Sequence, residues 1–270
     1  AATTAARMAQ QQAAQTAAAV PAGGSVGGGG GSVHSGMPDA VAVPMTAADM
    51  LMLDPTNAAV LAAASAPDQG QNLSATYRGN YDDNGQRHGF GELLWENGDR
   101  YEGLFWNGMR DGEGTLHFAD GTEYVGTWRL NRMDGQGTRR YANGNVYTGE
   151  YKSGRRRGQG RCYFANGDMY VGGWEEDKMH GFGRYHYNTG SAFEGNFREG
   201  RREGRGKVQD QDGRGDIYRY AENKQTGMGV RWSKDRKKAW RLLNGRKVER
   251  VTLDEARKIA TNCGPVVDYS

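Results

Sequence analysis

Residues 124–144 read YVGTWRLNRMDGQGTRRYANG, and this stretch decides the fold because the chain repeats its pattern six times. The pattern is an aromatic residue, x-Gly-x and a second aromatic residue, then a polar loop, x-Gly-x-Gly, a further run and an Asn/Asp-Gly dipeptide. The opening aromatic residues are Tyr77, Tyr101, Tyr124, Tyr147, Tyr170 and Phe193, so the first step is 24 residues and each later step is 23. Such a period predicts an array of small similar units rather than a fold around one pocket.

Each repeat has the pattern of two antiparallel strands. Alternate residues in the run Tyr124 to Trp128 would point to one face of a strand. Asn-Gly or Asp-Gly between two alternating runs is a strong hairpin signal, because both central positions of the tight turn need φ > 0. We therefore expect two-residue turns such as Asn143-Gly144 between repeats and longer loops inside them. The extra residue of the first repeat is expected in such a loop, between Tyr81 and Gly89.

A pair of glycines follows the polar loop in every repeat, and we interpret the pair as structural. Glycine has no Cβ, so it would let an aromatic ring lie flat on bare backbone. A dinucleotide site would need such glycines between a buried strand and a helix, whereas a strand follows them here. These structural glycines are Gly89, Gly91, Gly112, Gly114, Gly135, Gly137, Gly158, Gly160, Gly181, Gly183, Gly204 and Gly206.

The repeat resembles the MORN repeat (membrane occupation and recognition nexus). The residues that carry the resemblance are Tyr170-Val-Gly172-Gly-Trp174 with His180-Gly181-Phe-Gly183, and Tyr77-Arg-Gly79 with His88-Gly89-Phe-Gly91. It covers residues 77–213, and Phe193 and Phe197 depart mildly from the usual Tyr and Trp. The resemblance and the strand pattern together predict an all-β fold. This fold would be an elongated, single-layer, twisted antiparallel sheet of stacked β-hairpins with a short C-terminal capping helix.

The chain divides into four parts by composition and repeat identity. Residues 1–76 are rich in Ala, Gln and Gly and contain no aromatic residue, so we expect a mostly disordered tail with a short helix within 46–66. Residues 77–215 hold the six repeats, and 216–251 hold a degenerate seventh repeat and a capping hairpin. Residues 252–270 would form a helix and tail, starting with a capping-box signature at Thr252.

Composition narrows the classes of function. Lys and Arg number 35 against 32 Asp and Glu, a balance that does not demand nucleic acid, and we expect none as a partner. Two cysteines in a chain of this length favour a reducing compartment, so we expect a cytoplasmic protein, peripheral to membrane or cytoskeleton. No His, Cys or carboxylate set has metal-ligand or catalytic spacing, so we expect no cofactor, metal or enzymatic activity.

Three columns of aromatic residues should share one face of the sheet. Two interpretations stay open: a one-sided core, or a partly exposed groove that accepts a partner peptide or helix. Beside the opening residues, this aromatic face contains Tyr81, Trp95, Phe105, Phe118, Trp128, Tyr141, Tyr151, Phe164, Trp174, Tyr187 and Phe197.

A basic edge is expected where the loops inside the repeats lie. Its residues are Arg132, Arg155, Arg156, Arg157, Lys178, Arg201, Arg202 and Lys224. One interpretation is a solvated edge that the acids of the same loops neutralise. The other is a contact for anionic membrane lipid or an acidic protein, to which each basic residue would add up to ~1 kcal/mol near a membrane.

MORN proteins, by resemblance, organise partners at membranes, cilia and the cytoskeleton, which favours a non-catalytic scaffold that binds protein or anionic lipid. A homodimer is compatible with such an array. The alternative is a regulatory MORN array of a larger enzyme, similar to those of phosphatidylinositol phosphate kinases or a histone methyltransferase. This chain would then be a fragment, an alternative that its start without Met leaves open.

Overall fold

A computed structural model describes residues 74–263 of the chain. The predictions for the N-terminal tail, for the helix within 46–66 and for the last seven residues lie outside this range. The strands are β1 Ala75–Tyr81, β2 Arg87–Trp95, β3 Arg100–Trp106, β4 Met109–His117, β5 Glu123–Arg129, β6 Arg132–Arg140, β7 Val146–Lys152, β8 Arg155–Tyr163, β9 Met169–Glu175, β10 Lys178–His186, β11 Ala192–Arg198, β12 Arg201–Gln209, β13 Gly215–Ala221, β14 Lys224–Trp232, β15 Ala239–Leu243 and β16 Arg246–Val251. One helix, α1, spans Leu253–Asn262.

The strands form one sheet in sequence order, from β1 to β16, and the paired strands are antiparallel throughout. Each repeat supplies one hairpin, and the second strand of each hairpin pairs with the first strand of the next. The all-β sheet of stacked hairpins with a C-terminal helix is therefore confirmed. We call the side that carries the opening aromatic residues the inner face and the other side the outer face.

The positions of the two kinds of turn differ from the prediction. From the second repeat onward, the loop inside the repeat is the two-residue turn, as at Asn107 (φ 47°) and Gly108 (φ 77°). In the first repeat, five residues separate β1 from β2, so the expected extra residue does lie between Tyr81 and Gly89.

The Asn/Asp-Gly connections between repeats are longer than predicted. At Asn143-Gly144 the Tyr141 amide donates to the Asn145 carbonyl at 2.9 Å, and the Gly144 amide donates to the Tyr141 carbonyl at 2.9 Å. Gly144 has φ 89°, whereas Asn143 does not adopt positive φ. The prediction of a two-residue turn is wrong, because only the glycine needs the left-handed conformation and a three-residue loop needs just one such residue.

The two glycines of each structural pair do different work. The second faces a glycine across the hairpin, as Gly114 faces Gly103, and the same glycine pairing recurs along the array. The first, such as Gly112 with φ 103°, lies in a bulge where the register shifts between Gly103 and Phe105. The bulge places additional residues in the second strand of the hairpin.

The C-terminal end is closed on its outer face by α1. The Thr252 hydroxyl accepts a 3.2 Å bond from the Glu255 amide, so the predicted N-cap is confirmed. Ala256, Ile259 and Ala260 are buried against a cluster that includes Val230, Ala239 and Val251, whereas Leu253 is 36% exposed. At ten residues, the one helix of the described range is too short to cross a membrane.

Candidate functional site

The opening tyrosines rest on bare backbone. The Tyr124 ring lies over Gly126 and Gly137, where a Cβ added to Gly137 would be 2.5 Å from the Tyr124 hydroxyl oxygen. That hydroxyl donates a 3.0 Å hydrogen bond to the Thr127 carbonyl, and the other opening tyrosines make the equivalent bond. The glycines thus make room for a ring that is fully buried.

The second aromatic column links neighbouring repeats. Tyr124 makes edge-to-face contacts with Trp128 of its own repeat and with Tyr151 of the next, with ring centroids 5.2 Å apart in both cases. The same alternation runs from Tyr77 to Tyr220. We call this continuous row of rings the aromatic ladder. Each such pair adds about 0.5–1.5 kcal/mol beyond its buried area.

The aromatic face is a closed core and not an open groove. Its buried members are Trp95, Phe105, Trp128, Tyr141, Tyr151, Trp174 and Phe197. Phe118, Phe164 and Tyr187 are half-buried and pack on the same cluster, and Tyr81, at 59% exposure, is the exception. The groove interpretation is therefore wrong for most of this face, because the ladder rings cover one another between repeats and the third-column rings pack in the same core.

Three arginines complete the inner face. Arg110, Arg156 and Arg202 are buried, and each guanidinium lies over second-column rings of the next repeat, at 4.4 Å from Trp128, 4.2 Å from Trp174 and 5.0 Å from Tyr220. In the repeats between them, the equivalent positions hold buried Met133 and Met179. The column therefore alternates Arg and Met every second repeat.

Each of these three arginines is held by the turn of the next repeat. The Arg156 amide and its Nε donate to the Asp177 carboxylate at 3.0 and 3.1 Å, and its Nη2 donates to the Asp177 carbonyl. Asn131 and Asn223 accept from the amides of Arg110 and Arg202 with their side-chain oxygens and from the Nη2 groups with their carbonyls. Where the column holds Met, the equivalent turn residue is Gly154 or Gly200, which has no side chain to offer.

The placement of Arg156 and Arg202 on an exposed basic edge is thus wrong. Their side chains point inward, because position nine after the opening residue follows a two-residue turn and pairs with the second aromatic column. The sequence holds a signal for this placement: Arg with Asn or Asp 21 residues later recurs at Arg110, Arg156 and Arg202.

The remaining six basic-edge residues are exposed, and half of them are paired. Arg155, Lys178 and Arg201 form ion pairs with Glu176, Glu199 and Glu222, each from the turn of the next repeat. The bond from Lys178 lowers the pKa of the Glu199 carboxyl. Arg132, Arg157 and Lys224 form no ion pair with the residues that the structure describes. Acids of the turns therefore neutralise only part of the edge.

The two cysteines lack the surroundings of a reactive thiol. Cys162 and Cys263 are free and buried, and burial raises the pKa of Cys162 to about 12 and also raises that of Cys263. Between residues 74 and 263, no three His, Cys, Asp or Glu side chains are grouped as metal ligands would be.

The outer face carries an exposed apolar patch near the start of the array, which sequence analysis missed. Across β2 and β3, Phe90 pairs with Leu104, and beside them the rings of His88 and Trp106 lie 4.6 Å apart. Phe90 is 53% exposed, Leu104 39% and Trp106 58%. We call His88, Phe90, Leu104 and Trp106 the outer apolar patch. The sequence carries a signal for this patch, because strand residues that alternate with the inner-face aromatic positions point to the outer face.

The patch occurs once along the array. The fifth repeat keeps His180 and Phe182 at the first two equivalent positions, but Asn196 and Arg198 replace the leucine and the tryptophan. Phe182 is as exposed as Phe90, at 52%, but it faces a polar neighbour. The first two repeats therefore differ from the rest of the outer face in having four adjacent apolar or aromatic side chains.

Comparison of the sequence with known families identifies the same repeats as the hairpins of the structure. The sequence model of the MORN repeat matches six consecutive segments, residues 77–100, 101–123, 124–146, 147–169, 170–192 and 193–213. The chain belongs to the MORN-repeat family. Its described MORN array continues in register into β13 and β14, where Tyr218 and Tyr220 extend the core and Asp216, in the opening position, pairs with Arg231 at 2.6 Å.

Several solved structures resemble this MORN array at low identity. The G-box domain of the microcephaly protein CPAP is 12% identical, with a TM-score of 0.41, over 66% of this chain and 99% of that one. The TCP10c domain of Drosophila melanogaster Sas-4 is 11% identical, with a TM-score of 0.36, over 66% and 100%. The Danio rerio CPAP TCP10 domain, solved with a STIL peptide, is 15% identical, with a TM-score of 0.26, over 66% and 99%. Similarity this low says nothing about what this chain binds, and no curated protein sequence matches it.

Proposed function

We propose that this MORN array is a non-catalytic scaffold that binds another protein through the outer apolar patch. The role applies equally to a free-standing array and to a regulatory array within a larger enzyme. A cytoplasmic location, peripheral to membrane or cytoskeleton, belongs to the same proposal. It requires no cofactor, no nucleic acid and no turnover.

The observation that carries the proposal is that the outer apolar patch groups four apolar or aromatic side chains on an outer face whose other exposed apolar residues include Tyr163, Phe182 and Met228. Elsewhere on this face the strands present residues such as Glu113, Gln136 and Gln159 at the position of Phe90. Contiguous apolar side chains at the surface of a soluble domain usually mark interaction sites, because exposing them to water is unfavourable. The closed aromatic ladder leaves the inner face without a comparable surface.

An amphipathic helix is the partner element that fits this surface best. At the other end of the sheet, α1 already packs an apolar stripe of Ala256, Ile259 and Ala260 on the outer face. The Arg205 side chain, which is equivalent to Phe90 by repeat, donates a 3.1 Å bond to the Ala260 carbonyl of that helix. The outer face can therefore accommodate a packed helix. Helix-in-groove binding relies on apolar anchor residues of this kind.

Proximity labelling on the intact chain tests the proposal, followed by cross-linking to map the contact. A patch variant, Phe90→Ser with Trp106→Ser, should lose a set of partners that the parent labels. The matched control is Phe182→Ser with Tyr163→Ser, because both of these residues are exposed on the outer face away from the patch. Partners retained by the control, lost by the patch variant and cross-linked to β2 or β3 would support the proposal; equal labelling by both variants would sink it.

Binding of anionic lipid at the basic edge remains a second proposal, supported by Arg132, Arg157 and Lys224, which are exposed and have no acidic partner among the described residues. Attraction of this kind should weaken as salt screens the charges. Liposome co-sedimentation with acidic lipids should show less binding for Arg132→Ser with Arg157→Ser than for the parent at low salt. Equal binding by both proteins, or none by the parent, would remove the basic edge from consideration.

A further inference from the structure

The two edges of the sheet are built differently. The C-terminal edge, β16, carries Arg246, Lys247, Glu249 and Arg250, and its pairing with β15 shifts register between Arg241 and Leu242. Charged residues and bulges are the usual devices that prevent an edge strand from pairing with another chain. The N-terminal edge, β1, reads ATYRGNY and has one charged residue, no lysine and no proline. Among residues 74–263, no strand pairs with its outward side.

The aromatic ladder is also incomplete at β1. Along the array, each second-column ring touches the opening ring of the preceding repeat, as Phe105 touches Tyr77 with ring centroids 5.2 Å apart. Tyr81 belongs to the same column, but within residues 74–263 the one ring beside it is its own Tyr77, at 5.1 Å. It is 59% exposed, whereas its equivalents Phe105 and Trp128 are 3% and 4% exposed. The ladder therefore ends with a ring that lacks its outer neighbour.

The backbone of β1 presents a regular row of hydrogen-bonding groups to this open edge. In a two-residue hairpin the residues that flank the turn hydrogen-bond to each other, so Trp106 of β3 bonds to Met109 of β4. Successive residues of a strand direct their N–H and C=O groups to opposite sides, so the residues that alternate with Trp106, namely Tyr101, Gly103 and Phe105, bond to β2. By repeat equivalence, Tyr77, Gly79 and Tyr81 direct their N–H and C=O groups away from β2. These are the inner-face residues, so an added strand would continue both the sheet and the ladder.

We propose that β1 pairs with β1 of a second copy of this chain, antiparallel and centred on Gly79. This register places Gly79 opposite Gly79 of the second copy, which repeats the glycine-to-glycine pairing found along the array. It places Tyr77 opposite Tyr81 of the second copy, so each exposed Tyr81 ring gains an opening ring beside it, on the adjacent strand rather than two strands away as for Tyr77 and Phe105. Arg78 then faces Asn80 of the second copy, and no like charges oppose each other directly.

The pairing produces a two-fold dimer with one continuous sheet. A symmetric contact of this kind uses the same patch on both copies and closes without forming a filament. The contact is small because one short strand per copy forms it, so we expect a dissociation constant of roughly micromolar order. The dimer does not depend on the function proposed above, although it would give the scaffold two outer apolar patches.

Disulfide cross-linking of the full chain tests the register. Opposed residues of a non-hydrogen-bonded pair have Cα atoms about 4.5 Å apart, which permits a disulfide. Under the proposed register, Arg78→Cys and Asn80→Cys should therefore cross-link when the two variants are mixed. Neither variant alone should cross-link, because residues 78 and 78 of two copies would be roughly 8 Å apart, beyond disulfide reach. Dimers from either single variant would overturn the register, and no disulfide in the mixture would overturn the pairing.

Sedimentation velocity of the full chain, between about 1 and 200 µM, tests the dimer itself across the range that brackets a micromolar constant. Tyr81→Glu should weaken the dimer at least about tenfold, since it removes the ring contact from an otherwise solvent-exposed site. Tyr163→Glu, at another exposed tyrosine, should leave it unchanged, and both variants should melt like the parent. A monomeric parent throughout would overturn the proposal. So would a monomer whose Tyr77 and Gly79 amides resist hydrogen exchange, since another part of the same chain would then occupy the edge.

Discussion

At the scale of single residues, the buried arginines and the turns that hold them act as paired choices. Arg156 occurs with Asp177, whereas Met179 in the following repeat occurs with Gly200. A buried guanidinium needs acceptors for its N–H groups, because leaving such groups unsatisfied is costly. A methionine in the same place needs none, so a glycine suffices at the turn. Two solutions to one packing problem thus alternate along the array.

We expect Arg156→Met to cost about 2–3 kcal/mol, since it strips the partly buried Asp177 carboxylate of its cation. The double variant Arg156→Met with Asp177→Gly recreates the Met179–Gly200 arrangement and should cost less than the sum of the single changes, with a coupling energy of at least about 1 kcal/mol. Urea unfolding measures each variant. Arg155→Met is the control, because its exposed ion pair should contribute less than about 1 kcal/mol. Strict additivity of the two changes would contradict the pairing.

The hydroxyls of the opening tyrosines give a second prediction at this scale. Tyr124→Phe leaves the ring on its glycines but removes the donor to the Thr127 carbonyl. We expect a loss of about 0.5–1.5 kcal/mol, the net value of a typical buried hydrogen bond. Tyr163→Phe, on the exposed outer side of β8, should change stability by less than about 0.5 kcal/mol. Equal thermal shifts for the two variants would mean that the hydroxyl bond adds nothing.

Residue-level prediction from the sequence succeeded where one strand alone decided the outcome. Alternation placed Tyr124 and Trp128 on one face correctly, because the period of a strand is two. It failed for Arg156 and Arg202, because counting across a turn requires the turn length, and the turn inside the repeat is shorter than expected. The burial of the rings was equally out of reach, since the ring that covers Tyr124 comes from the next repeat.

At the scale of elements, glycine patterns predicted the hairpins but assigned the two kinds of turn wrongly. The two-residue turn lies inside the repeat, and the longer loop lies between repeats. Asn-Gly suggested a tight turn at Asn143-Gly144, yet the two-residue turns contain pairs such as Leu130-Asn131, with φ 49° and 67°. Leucine rarely adopts a left-handed conformation, so composition argued against a tight turn there. The Leu130 amide donates a 3.2 Å bond to the Asp111 carboxylate of the preceding repeat, which helps hold the strained turn. The stabilising contact is thus non-local.

The C-terminal helix provides a test at the same scale. Thr252→Ala removes the acceptor for the Glu255 amide and should destabilise α1 by about 1 kcal/mol. Hydrogen exchange should accelerate in α1 and in the β14–β15 region that it covers, while the central strands keep their protection. Thr261→Ala is the control, because that hydroxyl donates to the Arg257 carbonyl within the helix and caps no N-terminal amide. Uniform acceleration through the whole sheet would mean that the helix is not a separate unit.

At the scale of the whole molecule, the array is held by contacts between neighbouring repeats. The rings of the aromatic ladder touch rings of their own and the adjacent repeat, and Arg110, Arg156 and Arg202 are bonded to the turn of the next repeat. The stability of such an array is approximately a sum of repeat and nearest-neighbour contributions. The 23-residue period predicted this architecture. It could not predict which surface is left open, because that depends on outward residues that differ between repeats.

The two cysteines report on this architecture from different positions. Cys162 lies in the middle of the array, in β8, and Cys263 follows α1 at its end. Burial raises the pKa of both thiols, that of Cys162 to about 12, so the reactive thiolate is scarce at pH 8 until the surrounding structure opens. Exposing Cys263 requires only that α1 undocks from the sheet. Exposing Cys162 requires the separation of central repeats, each of which has another repeat on either side. Terminal units of a repeat array open at lower free energy than central ones.

We therefore expect alkylation at pH 8 to label Cys263 at least about tenfold faster than Cys162, a difference of roughly 1.4 kcal/mol or more in opening free energy. Peptide mass spectrometry of the labelled chain measures both rates in one sample. Thr252→Ala should accelerate labelling of Cys263 alone, and Arg156→Met should accelerate labelling of Cys162 because it weakens the contacts around β8. Equal rates for the two thiols, with the same dependence on urea, would show that the sheet opens as one cooperative unit and that nearest-neighbour coupling does not describe it.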